Sequence, residues 1–194
     1  MTDWRIVVMG VSGCGKSSVG LALAEALGAR FIDGDDLHPE ANKAKMAAGI
    51  PLNDEDRWPW LDMVAAALAA KNQASPKQDS PTFNGTVVAC SALKRVYRER
   101  ILHGAQGVGA GVGAGVGVGV GAGAPGTRFV HLHGSRELLA HRMGARPNHF
   151  MPVSLLDSQL NTLELLGADE PGHTYNIAAP VDQLVAAALA DLKS

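Results

Sequence analysis

Short apolar runs alternate along this chain with stretches whose apolar residues recur at three- and four-residue spacing. Arg5 to Met9 (RIVVM) is β-branched and has no polar alternation, as a strand buried on both faces requires. Glycines interrupt the run between Gly10 and Gly15. Helical spacing begins at Lys16, with Val19, Leu23 and Leu27 on one face and Gly28 placed to close the helix. Phe31 to Asp33, Thr86 to Cys90 (TVVAC), Arg128 to His133 and Tyr175 to Ile177 read as four further short strands. His38 to Gly49, Trp60 to Ala70, Ser135 to Arg146, Ser154 to Leu166 and Val181 to Leu192 read as helices. Lys71 to Gly85 reads as a polar loop. Strands alternating with helices predict an α/β domain with a parallel sheet covered on both faces.

Composition narrows the class. A length of 194 residues suits one domain with its own core. Lys and Arg number 17 against 19 Asp and Glu, a formal charge of −2, which gives no support to a nucleic-acid or membrane-surface binder. Apolar content of 46% excludes a chain disordered throughout. Cys14 and Cys90 are too few for a disulfide framework or a multi-cysteine zinc site. The apolar run Ile6 to Met9 is too short for a signal peptide, so a cytoplasmic setting is expected. Gly104 to Gly126 alternates glycine with Ala and Val. Its glycines supply no apolar side chains, so a membrane span is rejected and a flexible surface loop inserted into the single domain is expected.

The first chemistry lies at the first break. Gly10-Val11-Ser12-Gly13-Cys14-Gly15-Lys16-Ser17 matches G-x-x-x-x-G-K-[ST] between a buried strand and a helix. Glycines let successive N–H groups turn toward one anion, and the helix behind them adds the positive end of its dipole. The loop from Gly10 through Ser18 is thus a triphosphate site for ATP. Lys16 reaches the β- and γ-phosphates and Ser17 ligates Mg²⁺. Cys14 reads as a small filler. No Asn-Lys-x-Asp guanine motif is present and no acid ends the third strand, so a compact phosphotransferase fits better than a switch or a motor.

The second strand ends in Asp33-Gly34-Asp35-Asp36, which in a parallel sheet faces the same crevice. One acid, Asp33, can hold a water of the Mg²⁺ shell, and Asp35 can accept a proton from an attacking hydroxyl. An acidic turn that merely caps a helix is the plainer alternative. Arg57 is suited to clamp a carboxylate, or else pairs with its acidic neighbours. Ser91 and Lys94 leave the third strand into the crevice and could hold polar substrate groups, a solvated helix residue being the alternative for Lys94. Arg142 and Arg146, spaced i and i+4, can close over the phosphates from a small lid at about 142–152, with His149 beside them. A solvated basic helix face is the alternative there. His131 and His133 lack the further ligand of a metal site.

Taken together these residues resemble the gluconokinase family. The likeness runs through the phosphate loop, then Asp33-Gly34-Asp35-x-Leu37-His38-Pro39, Asn42, Lys45-Met46 and Gly49-x-Pro51-Leu52-x-Asp54-x-Asp56-Arg57-x-Pro59-Trp60-Leu61. It resumes at Cys90-Ser91-Ala92-Leu93-Lys94-x-x-Tyr97-Arg98, Arg142, Arg146-x-x-His149-Phe150-Met151 and Leu155-Leu156-x-Ser158-Gln159. The resemblance implies a three-layer, nucleoside-monophosphate-kinase-like P-loop fold with a small helical lid. It implies phosphorylation of the 6-hydroxyl of D-gluconate by ATP, and a homodimer. On that basis Lys16, Asp35, Arg142 and Arg146 are the expected catalytic residues, and Asp35, His38, Arg57, Ser91, Lys94 and His149 the expected acceptor contacts. Two alternatives stay open: a kinase for another small hydroxy acid such as shikimate, and an ATP-binding regulatory module without acceptor chemistry.

Overall fold

The computed structural model describes residues 3–70, 83–106, 126–144 and 153–194. Five parallel strands form one sheet: β1 (Trp4–Met9), β2 (Arg30–Asp33), β3 (Gly85–Ala89), β4 (Arg128–His133) and β5 (Gly172–Asn176). Their spatial order is β2-β3-β1-β4-β5. The chain therefore leaves β1 for one edge, returns through β3, and crosses β1 to build the other half. Ile6 pairs with Val87 on one side and Arg128 on the other, so β1 is central. Both faces of β1 are buried, which explains its unbroken apolar run.

Alternate residues of β1 feed two cores. Ile6 and Val8 pack with Val130, Leu132 and the helices α1 (Lys16–Leu27) and α7 (Val181–Lys193), through Leu23, Leu27, Leu184 and Ala188. Val7 and Met9 pack with Val88 and the helices α3 (Asp54–Ala69) and α4 (Arg95–Ala105), through Leu61, Val64, Leu68 and Ile101. The result is the expected three-layer α/β fold. Leu61 is fully buried, and its truncation to alanine would cost about 2–5 kcal/mol.

Several boundaries differ from the sequence reading. The helix expected over 38–49 is a 3-10 turn (Gly34–Leu37) followed by α2 (Glu40–Ala47), because Pro39 sits at its N-cap. The helix expected from Trp60 starts six residues earlier. Asn53 and Asp56 form a reciprocal capping box there, and the helix carries Pro59 within it. Helix α4 was not expected at all, yet Tyr97, Ile101 and Ala105 mark its buried face at four-residue spacing. It also takes Gly104 and Ala105 out of the glycine tract. A Cβ on Gly104 would stand 2.7 Å from the Ala65 Cβ, so glycine lets α4 lie close on α3. Residues 107–125 of the tract lie outside the described residues. Helices α5 (Arg136–Gly144) and α6 (Val153–Thr162) flank the expected lid, whose residues 145–152 also lie outside them. Among the described residues no helix is long and apolar enough to cross a membrane.

Candidate active site

The carboxyl ends of β1, β2 and β3 bring three loops together. After β1 the backbone turns at Gly10, Gly13 and Gly15, whose φ angles of 139°, 82° and 95° favour glycine. A Cβ at Gly13 would meet the Met143 Cγ at 2.8 Å, so α5 packs directly on the loop. At Gly15 a Cβ would meet nothing within 4 Å. The loop presents its open side there, at the start of α1, where an anion would meet the helix N-terminus. Lys16 curls inward, Nζ donating to the Val11 carbonyl at 3.1 Å. The Ser12 amide donates to Gln159 Oε1 of α6 at 2.7 Å. Val11 and Cys14 are buried, while Ser17 and Ser18 are exposed.

The second loop meets the first through a hydroxyl. Ser17 Oγ donates to Asp33 Oδ2 at 2.9 Å, and Asp33 Oδ1 accepts from the Asp35 amide at 3.1 Å. Asp33 thereby caps the 3-10 turn and aligns Asp35, whose side chain is exposed. Trp60 locks this turn from below, its indole Nε1 donating to the Gly34 carbonyl at 2.7 Å. Gly34 lies against the end of β3, where a Cβ would stand 2.4 Å from the Ala89 carbonyl oxygen. His38 stacks on Trp60 with ring centroids 4.2 Å apart, and its Nδ1 lies 3.3 Å from Asn42 Nδ2. Burial, with help from the Arg57 and Lys43 cations, lowers its pKa to about 4, so His38 is neutral in the physiological range.

The third loop follows β3. The Ser91 carbonyl accepts from the Gly10 amide at 3.4 Å, joining it to the phosphate loop. Beneath the crevice the Cys90 thiol is pushed up to about 12 by burial, with Lys16, Asp33 and Asp35 all in electrostatic range. Cys90 therefore stays a thiol and marks where the loops converge. Lys94 donates to both carboxylate oxygens of Asp54, at 2.9 and 2.8 Å, and Arg57 lies 3.9 Å from the same group. Tyr97 donates its hydroxyl to Asp54 as well. Donation by Lys94 and Tyr97 holds the Asp54 carboxyl below its usual range.

A buried pair braces this loop. Arg98 is 0% exposed and grips Glu170 through Nε at 2.6 Å and Nη2 at 2.8 Å. Its Nη1 donates to the carbonyls of Ala92, Leu93 and Glu164. Ala92 holds a φ of 41°, unusual for a residue with a Cβ. The guanidinium thus supports a strained turn just before Lys94.

Of the expected residues, the phosphate loop, Asp33, Asp35 and the Ser91 carbonyl meet at the carboxyl ends of the strands, while Arg57 and Lys94 gather on Asp54. His38 is stacked on Trp60 beside the acidic turn rather than free-standing. Arg142 departs from expectation: its Nη2 donates to the Ile177 carbonyl at 2.6 Å, beyond the end of β5. Arg146 and His149 lie outside the described residues. Sequence reasoning gave no role to Asp54, Trp60, Tyr97, Arg98 or Gln159. The spacing of Lys94, Tyr97, Arg98 and Ile101 carried the helical signal that would have placed Tyr97 and Arg98. The donor chemistry suits a magnesium ion, since the Ser17 hydroxyl and the Asp33 carboxylate are paired hard oxygens beside the anion loop.

A parallel sheet ending in an anion loop, with two acids and a cationic cluster facing it, defines a P-loop small-molecule kinase. The shikimate kinase family model matches residues 12–73, which hold most of the phosphate loop and the acidic turn. Relatives extend much further. A probable gluconokinase of Rattus norvegicus is 40% identical over 99% of both chains. The gluconokinase of Gluconobacter oxydans is 44% identical over 86% of this chain and 78% of its own. The crystal structure of a gluconokinase from Sinorhizobium meliloti superposes with a TM-score of 0.76 at 45% identity, covering 98% of this chain and 91% of that one. This chain belongs to the gluconokinase family.

Proposed function

We infer that this enzyme transfers the γ-phosphoryl group of ATP to the 6-hydroxyl of D-gluconate, giving 6-phospho-D-gluconate and ADP. The observation that carries the reading is the Ser17–Asp33 hydrogen bond of 2.9 Å, which sets the phosphate loop and the acceptor acids in one crevice. Family membership names the acceptor class.

The amides of Gly13 to Ser18 and the Lys16 ammonium hold the triphosphate tail. For Lys16 this means leaving the Val11 carbonyl for the phosphates. A magnesium ion held by Ser17, with Asp33 reached through a water, would neutralise charge on the phosphate oxygens. Asp35 orients the attacking hydroxyl and takes its proton. Arg57 and Lys94 hold the carboxylate of the sugar acid, with Ser91, His38 and His149 on its hydroxyls. Arg146 closes from the lid and excludes water, joined by Arg142 once it leaves the Ile177 carbonyl. Such catalysis is positioning and electrostatics, which is why the site spends so many contacts on aiming side chains. The same reading makes the enzyme a cytoplasmic homodimer, which sedimentation of the purified protein and cell fractionation test.

A coupled ADP assay decides the acceptor. Gluconate should drive ADP release, while shikimate and an acceptor-free control should not. Turnover of shikimate alone would overturn the reading, and ATP binding with no acceptor-dependent ADP would mark a regulatory module.

A further inference from the structure

Asp54 is a carboxylate placed among cations that are meant for another carboxylate. Lys94 sits on both its oxygens, Tyr97 donates to one of them, and Arg57 stands 3.9 Å off. The Tyr97 ring lies near the same two cations, 5.4 Å from Lys94 Nζ and 5.8 Å from the Arg57 guanidinium. Of the other two acids in the first turn of the helix, Glu55 is exposed and Asp56 has its own partner, Lys45, at 2.6 Å. His38 is neutral. The charges facing the Arg57–Lys94 position are therefore two positive and one negative, a surplus of one.

Stability does not explain this arrangement. The Asp54 side chain is 38% exposed and Lys94 30%, and ion pairs at that exposure contribute at most about 1 kcal/mol. An acid among anion-binding cations also weakens anion binding in general. Its effect is selective only when anions of different charge compete.

Resting on the assignment of Arg57 and Lys94 to the acceptor carboxylate, we propose that Asp54 is a specificity-determining residue. It sets the charge surplus at the Arg57–Lys94 end of the acceptor pocket at one, so that a monoanionic carboxylate neutralises it. A dianionic acceptor leaves an unmatched negative charge at that end. A neutral polyol leaves the surplus unmatched, with Lys94 still held by Asp54. Tyr97 keeps Asp54 in place while Lys94 is shared with the substrate.

The test compares kcat/KM for D-gluconate, D-glucitol and D-erythritol 4-phosphate, which is dianionic above pH ~7 because its second pKa is near 6. All three carry a primary alcohol at the far end of a chain of similar length. Any acceptor that turns over too slowly is read instead as a competitive inhibitor of gluconate phosphorylation. Asp54→Asn should raise the preference for the phosphate ester over gluconate by roughly 10-fold or more, since one charge a few ångströms away has been removed. Lys94→Gln should move preference the other way, toward D-glucitol. The double variant restores a surplus of one and should return the preferences toward those of the wild type. That rescue is the readout a merely structural role would not produce. If Asp54→Asn does not fold, the opposite shift in Lys94→Gln still decides. Gluconate turnover with unmoved preferences in the variants overturns the charge assignment alone, and an absence of gluconate-dependent ADP from the wild type overturns the kinase reading beneath it.

Discussion

The two walls of the crevice are built on different principles. The phosphate wall is local: eight consecutive residues supply the anion loop, and three positive-φ glycines shape it. The acceptor wall is assembled from a distance. Asp54 and Lys94 are 40 residues apart, Arg98 and Glu170 are 72, and Trp60 reaches back 26 residues to Gly34. A backbone nest needs little beyond its own glycines, whereas a wall of charged side chains must be aimed by partners elsewhere in the fold. On the proposed reading, chemistry common to many kinases rests on a contiguous motif and acceptor choice on long-range pairs.

The contrast yields experiments that would break or refine it. Lys16→Ala should have the largest effect, lowering kcat by about 10³-fold, with gluconate KM little changed, because its charge is most needed in the transition state. Steady-state kinetics in both substrates checks this, and a matching rise in gluconate KM would merge the two walls. Glu170→Ala should cost about 3–5 kcal/mol of stability by leaving Arg98 buried without its counter-charge, measured by urea unfolding. Arg57→Ala should raise gluconate KM roughly 10-fold or more, while ATP KM stays put. An unchanged gluconate KM would remove Arg57 from the acceptor wall.

The smallest effect is a pH dependence. Burial lowers the pKa of His38 and His131 to about 4, from the ordinary imidazole value of about 6.5. Below about pH 6.5 the unfolded chain binds protons that the folded chain refuses, so the stability these two histidines contribute at neutral pH should be lost as pH drops toward 4. His131→Gln should flatten that slope in denaturant midpoints measured across the range. An equally steep slope in the variant would place the loss elsewhere.

How much of this was legible in advance follows the same division. Strand β1, helix α1 and the phosphate loop can be read from a few adjacent residues, and the structure places all three as read. The acidic turn was legible because Asp33 and Asp35 leave a strand together. Helix α4 was not, because its charged residues, among them Arg95, Arg98, Glu99 and Arg100, obscure a buried face of only Tyr97, Ile101 and Ala105. Arg98 itself reads as solvated and is wholly buried, since Glu170 and four backbone carbonyls replace its water. Pro59 concealed the start of α3, although the Asn53–Asp56 capping box encoded it. No local pattern announces that Arg142 ends on the Ile177 carbonyl rather than over the crevice, because that contact needs the whole sheet in place.

The central claim is that both walls act on one phosphoryl group. Following purified enzyme, ATP, magnesium and D-gluconate by ³¹P NMR tests it directly. The account predicts that the γ-phosphorus signal of ATP is replaced, mole for mole with ADP, by a phosphomonoester coupled to the methylene protons at carbon 6. Release of inorganic phosphate in its place, or consumption of ATP that ignores gluconate, would contradict it.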